Sequence, residues 1–559
     1  MKATKKIVSV TLAIVLVALA FVMPVSAAKG LPLIIVDGIF STDLYKNYGT
    51  ADEAPVFPTD SDSLTAMGKD IGGALIGGII KYGTAKKDYD EFANEFFPVV
   101  NKYLEPIGYN PDGTPVDDTI GFKQLTKPMS QYTEEEKAGL VVFAEVYAKE
   151  YGEENVYNFS YDWRSSPIDA AVQLKDFIET VKYETGVRKV NLIGYSMGAN
   201  VVLAYLAANG GSLINNLVFV SPAWQGTSLA GNVVTNELEI DAFAVENFLV
   251  QLANVSATTH IAAFIISFIA TYEDLSGEYF GDIEYVLSNI LPRSYTDTFN
   301  PYIAGMPGFW SLVPGEDYEK GKEFIFGKDI NKDLEAKIDA YYEIQTDAKN
   351  IIEDAMADGM RFGIVGGYNC QMIPVSKEFE QSDTIIDVKY WSGGATCSKY
   401  LQAHNDWAQI HEQAVKDQHN HVSWDCKVDA STCMFPENTW FIKNLQHSYN
   451  ADDGSTDIIM WLLGAKKQMT VTTDKENYPQ FFLHNTYKRT TKPITVDGMI
   501  GDLDKSGAVT TADARIALKI AAGQKKPTDE LLVLGDIDED EKITTADAKE
   551  ILYMATGIY

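Results

Sequence analysis

Ser196 stands in the run VNLIGYSMGANVVLAYLAANGG, flanked by Gly194 and Gly198. A serine hydroxyl is a poor nucleophile near neutral pH. It becomes a good one where a histidine takes its proton, a carboxylate steadies the histidine, and N–H donors meet the oxyanion that forms. The G-x-S-x-G spacing suits that chemistry. A strained strand-to-helix turn lifts the serine above a sheet, and the glycines avoid clashes at the turn. The backbone N–H of Met197, directly after the serine, is the expected first oxyanion donor. The apolar run Val190–Ile193 reads as the strand, and Met197–Asn209 reads as the helix. The competing reading makes Ser196 only a small residue in a tight turn, so partners elsewhere in the chain must decide.

A different chemistry lies near the C-terminus. The segment GDLDKSGAVTTADARIALKIAAG, from Gly501, returns as GDIDEDEKITTADAKEILYMATG from Gly535. In the first copy Asp502, Asp504, Ser506, Ala508 (through its carbonyl), Thr510 and Asp513 fall at the ligand spacing of a calcium loop, with Gly507 at the sharp turn. In the second copy the same positions hold Asp536, Asp538, Asp540, Lys542 (carbonyl), Thr544 and Asp547. Hard oxygens so spaced can curl around Ca²⁺, which predicts two structural calcium ions and no catalytic cofactor. Both loops end in Asp where an EF-hand usually has Glu, and Glu541 replaces the turn glycine of the second.

The elements that would position Ser196 can be read around it. LPLIIVDG, NVYNFSYDW, KVNLIGYS, NNLVFVSPA and RFGIVGGYN read as buried strands. DAAVQLKDFIETVKYETG reads as a helix between two of them. Alternating strands and helices predict an α/β fold with a mostly parallel sheet and helices on both faces. The rhythm stops between about residues 225 and 349, which read as an inserted helical cap. Within it Ile261, Phe264, Ile265, Phe268, Ile269 and Tyr272 form one helical stripe. That stripe reads as core, or as a lid that could lie transiently on a lipid surface.

At 559 residues the chain calls for more than one folded unit. Its formal charge of −32 argues against nucleic acid as a partner. Lys2, Lys5 and Lys6 precede the apolar run Ile7–Met23 and the small residues of PVSAAKG. This reads as a signal peptide over residues 1–27, hence a secreted, extracellular protein. Export would permit disulfides among Cys370, Cys397, Cys426 and Cys433. The domain boundary is expected near residue 492, in the polar link NTYKRTTKPITVDGMI. That leaves residues 28–492 as the larger domain and 493–559 as the tail.

Five motifs, in order over residues 31 to about 465, carry a resemblance. YDWRSSP, GYSMGAN, VFVSPAWQGTS, GMPGFWSLVP and VDGIFSTDLY resemble motifs of the lecithin:cholesterol acyltransferase and lysosomal phospholipase A2 family of α/β-hydrolases. The last carries Asp37 where that family has proline. The resemblance implies a Ser, Asp, His order along the chain. It places the acid at Asp383, with Asp387 as the alternative because the flanking glycines of the family motif are missing. It places the base at His447. It also implies a second oxyanion donor at Ile39, and Trp163 and Trp310 along the acyl side, where plain core packing is the competing reading. The expected activity is that of a serine esterase or lipase, or an O-acyltransferase, working through an acyl-enzyme. The alternatives are a plant cell-wall carbohydrate esterase and a non-catalytic binding module on a degenerate hydrolase fold.

A calcium loop followed by one helix, twice over, resembles the type I dockerin module of cellulosomal proteins. This implies a cohesin domain of a scaffold protein as partner and attachment to a cellulosome-like complex. Thr511, Ala512, Thr545 and Ala546 sit where dockerins contact cohesin.

Overall fold

Eight strands of the main sheet, numbered in chain order, carry the site. They are β1 (Leu33–Val36), β2 (Val156–Phe159), β3 (Val190–Tyr195), β4 (Ile214–Val220), β5 (Arg361–Tyr368), β6 (Thr439–Lys443), β7 (Phe481–Asn485) and β8 (Thr490–Pro493). Their spatial order is β8-β7-β6-β5-β4-β3-β1-β2. The first seven strands pair in parallel, and only β8 runs antiparallel, against β7. This is a computed structural model that describes residues 30–56, parts of 66–82, 88–238, 292–372, 381–399, 421–486, 488–494, 500–506, 508–537 and 542–556. The leader reading, the Ile261–Tyr272 stripe, and Gly507, Asp538, Asp540 and Glu541 fall outside these residues.

The strands explain themselves by composition. LIIV, VYNF and TWFIK are buried at every position. A parallel strand covered on both faces must be nearly continuously apolar. Helices Pro167–Thr185, Gly198–Asn209 and Ala348–Ala357 share one core with Ile34, Leu192 and Phe219. Helices Val142–Tyr151 and Asp457–Leu463 share the opposite one with Ile35, Ile193 and Val365. Helix Pro167–Thr185 starts where Ser166 accepts from the Ile168 N–H and Pro167 takes the first helical position. It stops at Gly186, which is left-handed at φ 72°.

The described parts of residues 225–349 are mostly helical. Helices Ser228–Thr235, Gly315–Phe326 and Lys332–Thr346 surround a small core of Val234, Trp310, Tyr318 and Ile338. The polar link after residue 485 contains β8, which closes the edge of the sheet. An edge strand pairs on one side only, so a polar TTKP run ending in proline is tolerated there.

The tail packs helix Thr511–Ala521 against Thr545–Thr556. Leu503, Ala517, Leu531, Ile543 and Ile551 form its core. The Ile500 N–H donates to the Trp424 carbonyl at 2.7 Å, so the start of the tail is pinned to the larger domain. No disulfide joins any of the four cysteines among the described residues, and Cys370, Cys426 and Cys433 are buried. The disulfide expectation is therefore corrected. These cysteines serve as small apolar residues.

The tightest packing lies at the turn after β3. A Cβ on Gly198 would overlap the Val36 carbonyl and stand 2.6 Å from that of Asp37. Backbone cannot swing aside as a flexible side chain can. Gly198→Ala should therefore cost about 3 kcal/mol, the upper end of overpacking penalties. Urea denaturation of the full chain followed by far-UV circular dichroism checks this.

Candidate active site

The C-terminal ends of β1, β3, β5 and β6 bring Asp37, Ser196, the Asp383 loop and the His447 loop to one edge of the sheet. Ligands of open parallel sheets bind at that edge. Ser196 follows β3 directly and holds φ at +52°, a strained value for a residue with a side chain. Its N–H donates to the Val220 carbonyl at 3.1 Å, and its carbonyl accepts from the Ala223 N–H at 3.0 Å. Both bonds pull the turn against the end of β4. Gly38 lies on the other side, where a Cβ would stand 3.1 Å from Ser196 Oγ.

The acid and the histidine meet. His447 Nδ1 lies 2.8 Å from Asp383 Oδ2. The other oxygen of Asp383 accepts from the Ile385 and Ile386 N–H groups at 3.1 and 2.8 Å. The His447 N–H donates to the Asp383 carbonyl at 2.6 Å. Asp383 is fully buried, whereas the His447 side chain is 14% exposed. A dry, doubly held carboxylate with a reachable imidazole is the arrangement that fixes a histidine's tautomer and steadies its charged form. Tyr195 adds a floor. Its ring stacks on the imidazole at 5.4 Å and 21°, and its hydroxyl donates to the His447 carbonyl at 2.6 Å. Gly367 lets the two loops meet, since a Cβ there would overlap the Leu445 carbonyl.

The alternative acid does other work. Asp387 accepts from the Ser228 N–H at 2.8 Å and from its hydroxyl at 2.7 Å. It ties the acid loop to the N-terminus of helix Ser228–Thr235. Burial pushes its carboxyl up to about 6, against the pull of the Ser228 bonds. Among the other histidines, His484 is buried with Nδ1 2.9 Å from Thr491 Oγ1. His421 sits with Nδ1 2.9 Å from Gln480 Oε1. His260, His404, His411 and His419 fall outside the described residues.

The loop after β1 is clamped by the YDWR segment. The Tyr161 hydroxyl donates to the Asp37 carbonyl at 2.8 Å, and the Trp163 indole N–H donates to the Thr42 carbonyl at 3.3 Å. Ser41 Oγ donates to the Gly38 carbonyl at 2.6 Å. Arg164 is buried and grips Asp162 with two nitrogens, at 2.9 and 2.8 Å. Among the described residues no acceptor faces the backbone N–H of Ile39 or Met197. Trp163 lies beneath the exposed Phe40, ring centroids 4.7 Å apart. Trp310 is buried beside Tyr318 and Ile338, its N–H donating to the Ala304 carbonyl at 2.7 Å. Both tryptophans are buried. The sequence reading missed Tyr195, Tyr161 and Ser228. All three stand inside the quoted motifs, but only folding shows what they touch.

In the tail, carboxylate oxygens of Asp502, Asp504 and Asp513 lie within 4.8 Å of one another. Asp502 and Asp513 are buried. Asp513 caps its helix by accepting from the Thr510 N–H at 2.8 Å, and Asp547 does the same for Thr544 at 2.7 Å. An all-oxygen set with buried carboxylates fits a hard divalent cation. Thr511, Thr545 and Ala546 are exposed at the helix starts, and Ala512 is half-buried.

Residues 118–274 match the sequence family described as alpha/beta hydrolase fold. The fold is that of the alpha/beta hydrolases. The hydrolase match spans Ser196 and its flanking strands but stops before Asp383 and His447. No curated protein matches the chain. A solved structure titled "The crystal structure of Tle4-Tli4 complex" aligns at 13% identity over 61% of this chain and 75% of that one. Its TM-score is 0.25.

The two carboxylates should separate on mutation. Asp383→Asn should slow the reaction of Ser196 with a serine-directed phosphonate by about 10³-fold or more. Asp387→Asn should leave that rate within tenfold and change stability instead. Asp387 holds its proton more tightly folded than unfolded, so its contribution to stability falls as pH rises from about 4 to about 6. That fall should be missing from the Asp387→Asn melting profile.

Proposed function

We propose that the chain is a serine ester hydrolase of the esterase or lipase type, with acyl transfer to an alcohol as the variant outcome. The observation that carries this is the Asp383–His447 pair, at the same edge of the sheet as a strained serine elbow. His447 takes the proton of Ser196 as the hydroxyl attacks an ester carbonyl. Asp383 holds the imidazole and steadies its positive form. The Ile39 and Met197 N–H groups receive the oxyanion. An acyl-enzyme forms on Ser196, and water or an alcohol releases the acyl group. The likeness to lecithin:cholesterol acyltransferase motifs points to a lipid ester, with Trp163 and Trp310 shaping the acyl side and the cap meeting a lipid surface. A plant cell-wall ester and a non-catalytic binding role are the outcomes against which a substrate panel discriminates.

The tail is proposed as a calcium-dependent dockerin on a secreted protein, binding a scaffold cohesin through the face that bears Thr511, Ala512, Thr545 and Ala546. The convergence of Asp502, Asp504 and Asp513 supports this. Ser506, Thr510 and the Ala508 carbonyl would complete the first site. Asp536, Asp538, Asp540, Thr544, Asp547 and the Lys542 carbonyl would form the second.

Ser196→Ala should lower ester turnover by about 10⁴-fold or more, and His447→Ala by nearly as much, because the residues act as a unit. A panel of short and long p-nitrophenyl esters, phospholipid, acetylated xylan and feruloyl esters assigns the class. Turnover that survives in either variant within tenfold contradicts the reading. For the tail, Asp502→Ala with Asp513→Ala should melt the first loop and abolish calorimetric binding to a cohesin panel, as chelator should in the wild type.

A further inference from the structure

Asp37 closes β1 and is followed directly by Gly38 and Ile39. It is 3% exposed. Its side chain hydrogen-bonds Asn158 of β2. Yet Asp37 Oδ1 and Asn158 Oδ1 are both buried without a partner. A carboxylate facing an amide cannot satisfy both atoms, because the amide brings donors only on its nitrogen. One proton can. A carboxylic acid donates its O–H to the amide oxygen while the amide N–H donates back to the acid's other oxygen.

The surroundings favour the neutral form. Tyr161 from the turn after β2 and Tyr195 from β3 face Asp37, and burial pushes both phenols well up, so neither carries charge near neutral pH. Among the described groups, no charged side chain faces the Asp37 carboxyl. Burial pushes that carboxyl up to about 7, against the pull of Asn158.

We propose that Asp37 is a positioning residue that works as a neutral carboxylic acid, paired with Asn158. The pair holds the loop carrying Gly38 and Ile39 and keeps negative charge away from the developing oxyanion. The inference rests on Ser196 being the nucleophile. The loop is already fixed by the Tyr161 bond to the Asp37 carbonyl and by the packing of Gly38 on Ser196. Loss of the proton leaves an unsatisfied carboxylate one residue from that contact. Its field opposes an oxyanion and also acts on Tyr195, the ring beneath His447. Activity therefore gains an alkaline limb that belongs to Asp37.

The test is the rate of Ser196 labelling by a fluorophosphonate against pH, on the full chain. In the wild type the rate should fall above pH about 7, by about tenfold per unit once the group is fully titrated. Asp37→Asn forms the same two-bond ring with Asn158 and cannot ionise. It should keep the wild-type rate near pH 6 and lose the alkaline fall. An unchanged fall in Asp37→Asn overturns the inference while leaving the nucleophile intact. A wild type that is never labelled at Ser196 overturns the catalytic reading instead. Should Asp37→Asn not fold, infrared difference spectra of the Asp387→Asn protein between pH 6 and pH 8.5 decide. A protonated-carboxyl band that disappears over that interval supports the pair, and its absence contradicts it.

Discussion

Three backbones meet at the elbow with no room for a side chain between them. Gly198 passes under the carbonyls of Val36 and Asp37, Gly38 faces Ser196, and Ser196 is bonded on both sides to the end of β4. A left-handed serine is costly, on the order of 1–3 kcal/mol, and persists only where its surroundings over-determine it. Here they do. The buried strands β1, β3 and β4 leave the turn no alternative path, and the strain points Ser196 out of the sheet toward the site.

The rest of the site depends on that crowding. The loop after β1 cannot move away from Ser196, because Tyr161 and Trp163 hold it and Arg164 holds them in turn through Asp162. The histidine loop is set by a separate device. Asp383 carries two backbone N–H groups on one oxygen and the imidazole on the other, so acid and loop are built as one unit. Asp387 locks the far end of that unit to helix Ser228–Thr235 through Ser228. Helix Ser228–Thr235 is thus coupled to the Asp383 loop through a buried carboxyl.

Much of this was legible in the chain. The runs LIIV, NLIGY and NLVFV are apolar enough to demand a parallel sheet, and G-x-S-x-G between strand and helix marks the elbow. The choice between Asp383 and Asp387 was not legible. Both are buried, and only the partners of each, an imidazole for one and a serine hydroxyl for the other, separate them. β8 was hidden because an edge strand needs no apolar pattern. The state of Asp37 was hidden because it depends on Asn158, far away in sequence and one strand over. The cysteines misled for a general reason: their presence in a sequence does not bring two sulfurs within bonding reach.

The central claim is that Ser196, driven by His447 and Asp383, forms a covalent acyl-enzyme. The most direct measurement is to mix the full chain with a slow-turnover p-nitrophenyl ester, quench with acid within the burst, and map the acylated peptide by mass spectrometry. One acyl group per chain is expected on Ser196, accumulating with the burst and absent from His447→Ala. Turnover without any acylated peptide, or an acyl group on another residue, would contradict it.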